Sequence, residues 1–280
     1  MDSVSRLKSI IFCILKYLFI GTVTTISLLP LVWIFISSFK TDLEIFSTPL
    51  ALPSEINFNG YVMALEISPI AQFYKNSVVI AFLGTFLNIA IFAMSAYVLA
   101  RFKFRIRGIV IAMLSVSLLL PITALMQPIY IIIKALGLYD TKTALILVYI
   151  TLGLPTTLYI LRSYYLTISK DIEESAYIDG AGFLRTFISI VAPIAVPGYA
   201  TAAILQFLLC WQEFTFALIL TTGNKNRTLP IALQYFTNQF NYNYTAMFAA
   251  IIMIIIPSLL IFVLLQEQVI SGLTAGAVKG

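Results

Sequence analysis

Apolar positions along this chain neither alternate with polar ones nor recur on one helical face; they run unbroken for whole stretches. Uncharged runs cover residues 17–39, 76–100, 108–133, 143–161 and 186–212, and a sixth follows Arg227 to Gln266. A helix needs about 20 apolar residues to cross the ~30 Å hydrocarbon core of a bilayer. Each of the first five runs is therefore suited to one crossing. The sixth is too long for one, and its first half, residues 234–244, interleaves aromatics with Asn, Gln and Thr. That places the last helix at roughly 245–265. The pattern predicts an all-α, polytopic membrane protein with six transmembrane helices. The first run is expected to persist as a helix. It is too long for a signal peptide's apolar core and has no small-residue cleavage site.

Composition removes the alternatives. The chain is 60% hydrophobic and 10% charged with a mean hydropathy of +0.99, against about 25% charged and ~45–50% apolar in a soluble domain. Disorder, a collagen-like fibre and a disulfide scaffold are excluded. Cys13 and Cys210 both lie inside apolar runs and read as small packed hydrophobes, not as a bridge or a metal site. Histidine is absent, which excludes histidine triads, zinc sites of the usual type and histidine proton relays. There is no Gly-x-x-x-x-Gly-Lys-Ser/Thr phosphate loop and no serine-nucleophile elbow. No catalytic residue, metal or cofactor is expected in this chain.

The net charge of +5 comes from basic residues scattered between apolar runs, so no nucleic-acid face forms. An excess of Lys and Arg on cytoplasmic loops accounts for it better. With the amino end inside, cytoplasmic segments hold Arg6, Lys8, Lys16, Arg101, Lys103, Arg105, Arg107, Arg162, Lys170, Arg185 and Lys279, eleven of the 17 basic residues. Both termini then face the cytoplasm, residues 41–75 form the main external connection, and residues 162–185 form the large internal loop. Pro30, Pro121, Pro128, Pro155, Pro193, Pro197 and Pro257 fall within or at the edges of the spans. Membrane bundles tolerate such prolines because neighbouring groups satisfy the freed carbonyls.

The internal loop carries the most chemistry. Asp171, Glu173 and Glu174 crowd the first turn of a short helix, where carboxylates complement exposed N–H groups. Thr167, Ser169 or Asp171 would cap it. Ser175 and Ala176 make a small-residue patch that admits another backbone, and Gly180 suits the left-handed position that ends a helix. A connector lying on the membrane surface is usually basic on its polar face, whereas this segment is net acidic. It reads as a helix that docks into a partner.

Glu174-Ser175-Ala176, Asp179-Gly180-Ala181, Pro193 and Pro197 resemble the EAA loop, here residues 169–197, of binding-protein-dependent ABC transporter permeases. The resemblance runs nearly end to end with the carbohydrate, MalG-like branch of that family. Pro30-Leu-Val-Trp33 with Ser38-Phe39-Lys40, the segment 136–141, Trp211-Gln-Glu-Phe214 and the ending Gly272–Gly280 are similar to its landmarks. Departures are small: Ser175 stands where the family usually has Ala, Ser169 where a proline commonly opens the helix, and Ala192 where Leu commonly precedes the proline.

The resemblance implies a type I ABC importer permease fold in a bacterial or archaeal cytoplasmic membrane. Residues 1–70 would comprise the amino terminus, first helix and external segment, residues 71–267 the permease core, and residues 268–280 a cytoplasmic tail. It implies a second homologous permease as heterodimer partner, two ATPase subunits that hold the ATP and magnesium, and an extracytoplasmic sugar-binding protein. Membrane lipids surround the whole. Glu174, Ser175, Ala176, Asp179, Gly180 and Ala181 would couple to the ATPase, with Glu174 the salt-bridge partner of a basic residue there. Thr274, Ala275, Gly276 and Lys279 would lie along the ATPase interface.

Glu213 is the one acidic residue bordering a transmembrane run, beside Trp211 and Gln212. An intramembrane carboxylate is a functional candidate, either lining a pathway or sitting near the external interface with Trp211 as anchor. The five aromatics of residues 235–244 suit either sugar contact or an interfacial belt. An ion-coupled secondary transporter is the competing reading. It would want several charged groups within the spans and leaves the acidic loop unexplained.

Overall fold

The computed structural model describes residues 3–238 and 241–277, with side chains for 10–236 and 243–267. Its helices are α1 (Ser3–Ser37), α2 (Asp42–Ser47), α3 (Asn59–Ile67), α4 (Ile70–Arg101), α5 (Arg107–Ser117), α6 (Met126–Ala135), α7 (Lys142–Thr167), α8 (Lys170–Ile178), α9 (Phe183–Thr186), α10 (Ala192–Ile194), α11 (Val196–Gln212), α12 (Thr215–Leu220) and α13 (Tyr244–Ala277). A two-residue hairpin pairs Thr237–Asn238 with Asn241–Tyr242. The chain divides into two compact units, residues 1–68 with 233–253, and residues 69–232 with 254–280.

Four helices are long and apolar enough to cross a membrane unaided: Ile10–Ser37 of α1, α4, α7, and Tyr244–Glu267 of α13. The runs expected as the third and fifth spans are bent. Arg107–Ser117 and Ile122–Ala135 meet at 105°, and Phe183–Ile194 meets Val196–Gln212 at 76°. Six spans result only if each bent pair counts as one. The first break falls just before Pro121, which disfavours helical geometry in the residue before it, and the second at Ala195, two residues before Pro197, which lacks the N–H that would continue the ladder. A π-helical turn over Phe187–Val191 precedes the second break. The last helix exceeds its expected limits of 245–265: it runs through Pro257 to Ala277, so the segment expected as a tail begins inside it.

In the first unit, α1 is exposed at every position from 10 to 32, the surface of a helix whose solvent is apolar. Beyond it the connection to α3 is tied down. The Trp33 indole donates to the Pro49 carbonyl at 2.8 Å, and the buried Lys40 ammonium donates to the carbonyls of Thr48 and Pro49 at 3.1 and 3.0 Å. Thr41 and Glu44 form a reciprocal capping box on α2, and Asp42 accepts the Thr245 N–H (2.8 Å) and hydroxyl (2.7 Å) at the start of α13.

Glu44 also receives the Ser54 hydroxyl and N–H, closing the turn that follows α2. Those bonds from Ser54, with the Thr41 N–H and hydroxyl, hold its carboxyl down at about 2 against an ordinary 4.5. The sign follows from a lowered folded value: the contribution is complete above about 4.5, shrinks below that, and is gone once pH falls through about 2. In a Trp211→Phe background, Trp33 emission should therefore shift in acid for the wild type. Glu44→Gln should already show the shifted emission at neutral pH and show no acid transition. Parallel acid titrations of the two proteins would reject the assignment.

In the second unit α4 and α7 pack along their lengths with α11 across them. Small residues make this approach possible, as expected where lipid supplies no hydrophobic drive: Ala81, Gly84, Ala93 and Ala96 on α4, Gly153 on α7, Gly198 and Ala202 on α11 are all buried. Buried amides then cross-link the helices around Pro155, which lies inside the continuous α7. Asn88 donates to the Ile150 carbonyl at 2.8 Å and accepts the Thr157 hydroxyl at 2.6 Å. Gln206 of α11 donates to the Tyr149 carbonyl at 2.9 Å.

Gly153 is the tightest of these contacts: a Cβ there would sit 1.6 Å from Gln206 Oε1. Gly153→Ala must expel the Gln206 amide from its bond to Tyr149 and leave it unsatisfied. The expected cost is about 1–3 kcal/mol, read as a lower thermal midpoint in detergent. Gln206→Ala in the same chain should recover most of it.

Candidate functional site

The loop between α7 and α11 forms a short, fully terminated helix. Ser169 opens α8, its hydroxyl oxygen accepting the Asp171 N–H at 3.3 Å. The Ser175 hydroxyl folds back onto the Asp171 carbonyl at 2.8 Å. At the other end Gly180 adopts φ +81°. Its N–H donates to the Tyr177 carbonyl (3.1 Å) and that of Ala181 to the Ala176 carbonyl (2.9 Å), the paired bonds of a Schellman stop. A residue with Cβ at that φ costs about 1–2 kcal/mol, so glycine is the residue the turn requires.

Asp171 and Glu173 lie in the first turn of α8 and Glu174, expected there too, falls just beyond it; the three carboxylates have three different fates. Asp171 is exposed and accepts from Ser169 at 3.0 Å. Glu174 is exposed. Glu173 is turned inward onto α4, where Arg101 Nε reaches its Oε1 at 2.6 Å and the Tyr97 hydroxyl reaches its Oε2 at 2.7 Å. The two ion-pair side chains are 6% and 7% exposed. Arg101 Nη2 further donates to the Ile168 carbonyl at 2.8 Å, fixing the chain just before α8. The rings of Phe183 and Phe187 lie against Tyr97 at 5.7 and 5.1 Å between centroids, so the segment following α8 closes over the pair. The end of α4 is thereby strapped to α8 by one buried ion pair.

Of the residues singled out in the sequence, Glu174, Ser175, Asp179 and Gly180 are exposed, Ala181 is half-buried and Ala176 is buried beneath α8. The exposed face also carries Ile172 and Ile178, the latter 86% exposed. Ala176 lies one turn beyond Glu173 on the inner face, so Ser175 is the small residue the helix presents outward. Glu173, Arg101 and Tyr97 were not among the sequence candidates. The signal was the i, i+3 spacing of Glu173 and Ala176, which puts the carboxylate on the same face as the buried alanine. Thr274, Ala275 and Gly276 belong to α13, but their side chains, and Lys279 altogether, lie outside the described residues.

Glu213 stands at the break between α11 and α12. Its two oxygens accept the N–H groups of Phe216 (2.8 Å) and Ala217 (3.1 Å) and the Tyr149 hydroxyl (2.8 Å). The carboxylate is engaged as a cap for α12. Trp211 is buried with its indole N–H on the Ile254 carbonyl at 3.1 Å, while Gln212 is exposed. Of the aromatic stretch 235–244, Gln239 and Phe240 lie outside the described residues. Nearby, Asp140 at φ 55° accepts the N–H groups of Thr222 (3.0 Å) and Gly223 (3.1 Å) and fastens the α6–α7 connection to the loop after α12. Burial pushes its carboxyl up, but these N–H groups and the Asn226 amide outweigh that and hold it below the usual range.

An all-α bundle with several apolar spans and one strapped, solvent-facing helix has the build of a multi-pass membrane permease. The family model for "Binding-protein-dependent transport system inner membrane component" matches residues 89–273, which include α8 and its strap. The chain belongs to that family. It is 35% identical, over 90% of its length and 89% of the relative's, to the sulfoquinovosyl glycerol transport system permease protein SmoH of Agrobacterium fabrum. It is 34% identical to the trehalose transport system permease protein SugB of Mycobacterium tuberculosis, over 91% of this chain and 92% of that one. The trehalose/maltose transport system permease protein MalG of Thermococcus litoralis matches at the same identity and coverage. The fold matches a chain of a bacterial ABC transporter that imports the acidic polysaccharide alginate, with TM-score 0.80, 23% identity, and coverage of 95% of this chain and 98% of that one.

Proposed function

We propose that this chain is the membrane permease subunit of an ATP-driven, binding-protein-dependent importer of a mono- or oligosaccharide or a sugar derivative. The observation that carries the reading is the outward face of α8. Glu174 and Ser175 stand exposed between Ile172 and Ile178, with Asp179 exposed just beyond, on a helix anchored from beneath by Glu173 and Arg101. Such a face combines apolar contact area with a carboxylate free to meet a basic partner, and the anchor passes any movement of the docked partner to α4.

In this reading α8 seats in a separate ATPase, which holds ATP and magnesium. Glu174 pairs with a cation there, Ser175 admits close approach, and the Asp179-Gly180-Ala181 turn aims α9 back to the bundle. A homologous permease completes the pathway as a heterodimer with two ATPase subunits, and an extracytoplasmic sugar-binding protein delivers the substrate. Both termini are cytoplasmic, so that Thr274, Ala275, Gly276 and Lys279 reach the ATPase interface. The core is residues 71–267, between the 1–70 and 268–280 segments. Gln212, exposed beside the Glu213 cap, is the pathway candidate of that trio. The sugar class follows from the named substrates of the relatives.

Co-expression with the cognate sister permease, ATPase and binding protein, followed by reconstitution, tests this. ATP-dependent uptake of a sugar that also shifts the melting of the binding protein is expected. Uptake driven by a proton or sodium gradient with no ATPase present would establish the ion-coupled transporter instead.

A further inference from the structure

Arg101, Lys103, Arg105, Arg107 and Arg162 lie at the end of the second unit that carries α8. Only Arg101 has a carboxylate within ion-pair distance among the described residues. Arg107, at the start of α5, and Arg162, on α7, converge instead on one carbonyl. Their Nε atoms lie 3.0 and 3.4 Å from the oxygen of Leu99 on α4. Two half-buried guanidiniums thus share a single neutral acceptor. Like charges held together in this way, with terminal nitrogens that make no hydrogen bond among the described residues, call for an anion between them.

Leu99 is also the end of an apolar cleft. Between α4, α5 and α7 lies a groove of about 580 Å³ whose lining includes Ile91, Ser95, Leu99, Val110, Leu114 and Leu158. Ile91 and Leu99 are eight residues apart on α4, about 12 Å at 1.5 Å per residue. One leaflet's share of the ~30 Å hydrocarbon core is close to that depth. The groove stays open because α5 is only 11 residues long and the chain then turns through 105°. A cation pair at the head of an apolar groove one leaflet deep matches one ligand chemistry in both its parts.

We propose that the cleft between α4, α5 and α7 binds an anionic phospholipid, its phosphate between Arg107 and Arg162 and one acyl chain along the groove from Leu99 towards Ile91. Charge complementarity selects the occupant. An apolar helix of a partner subunit would fill the groove and leave both guanidiniums without a counter-charge. A zwitterionic lipid would bring its own cation to a site that already holds two. Lys103 and Arg105, exposed on the same connection, add to the attraction of an anionic headgroup.

The test is native mass spectrometry of the intact permease assembly released from nanodiscs of equal phosphatidylglycerol and phosphatidylcholine. Wild type is expected to retain phosphatidylglycerol in preference. Arg107→Gln with Arg162→Gln should lower that preference roughly 30-fold, as two interfacial charges imply. Lys8→Gln with Lys16→Gln, which removes the same charge elsewhere, should leave it unchanged. Ser95→Trp, which blocks the groove with both arginines in place, should also lose the lipid. Size-exclusion profiles matching wild type show which variants fold; Arg107→Lys with Arg162→Lys replaces the glutamine pair if that pair fails, and is expected to weaken retention several-fold. Unchanged preference in the folded arginine variants overturns the site. So does retention by Ser95→Trp, which means surface attraction only, or a Ser95→Cys crosslink to a neighbouring subunit in membranes, which means that protein fills the groove.

Discussion

Replacing Arg101 with methionine should leave a chain that still inserts but melts well below the wild type and supports little or no coupled uptake. The guanidinium and the Glu173 carboxylate meet at 2.6 Å, each less than a tenth exposed. Removing one member of a buried pair leaves the other charged and unpaired, at about 3–5 kcal/mol. That is a large share of the ~5–15 kcal/mol by which a typical native protein exceeds its unfolded state. The Tyr97 hydroxyl at 2.7 Å cannot compensate, because it supplies one neutral hydrogen bond in place of a charge. Glu173→Gln should be milder, since the amide still offers an oxygen to Arg101 Nε. The double variant, Arg101→Met with Glu173→Gln, should be less damaging than the sum of the two. Residues in one ion pair typically show ~0.5–3 kcal/mol of such non-additivity. Thermal midpoints of the four proteins measure the coupling. Strict additivity would mean that the pair does not hold α8 to α4.

The pair also separates stability from transmission. Replacing a buried ion pair by matched apolar groups is often neutral for stability. Arg101→Leu with Glu173→Leu therefore tests what the charge adds. If melting recovers but ATP-dependent uptake does not, the ion pair keeps α8 in a fixed register on α4 that apolar contact leaves loose.

The membrane character and the approximate spans were legible because lipid imposes a strong rule: uncharged runs of about 20 residues become helices. The loop helix was equally legible, since Ser169 and Gly180 are cap residues whose chemistry is local. What escaped the sequence depended on distance. Arg101 reads as one more positive residue closing a span, and only the packing of α4 against the α7–α8 junction gives it a partner 72 residues away. Glu213 reads in the sequence as the one acidic residue bordering a transmembrane run, either lining a pathway or sitting near the interface. Its environment consists of two backbone N–H groups that α12 exposes by starting there, and of Tyr149 arriving from α7. The bends near Pro121 and Pro197 were visible as prolines and invisible as angles, because a membrane helix with proline can run straight through, as α13 does at Pro257. Which proline breaks depends on whether neighbouring helices satisfy the freed carbonyl.

Glu174→Lys is expected to leave melting near wild type while abolishing coupled uptake. Glu174 is exposed and has no ion pair within this chain among the described residues, so reversing its charge removes nothing that holds the fold together. Surface substitutions away from buried features usually fall within about 0.5 kcal/mol. Its neighbour one position earlier is buried in the ion pair, which makes Glu173 and Glu174 a matched contrast: the same residue type at adjacent positions, one facing α4 and one facing outward. If Glu174 meets a basic residue of an ATPase, the lysine loses that pair and adds a repulsion. The affinity of the permease for its ATPase should then fall by about 2–5 kcal/mol, from 30-fold to several thousand-fold. A pull-down titration with the ATPase reads this directly. A reversed charge on the ATPase side should restore binding to Glu174→Lys and not to Arg101→Met. That restoration separates a docking contact from a structural one. Wild-type uptake by Glu174→Lys in vesicles would show that the outward face of α8 is not where force enters the membrane.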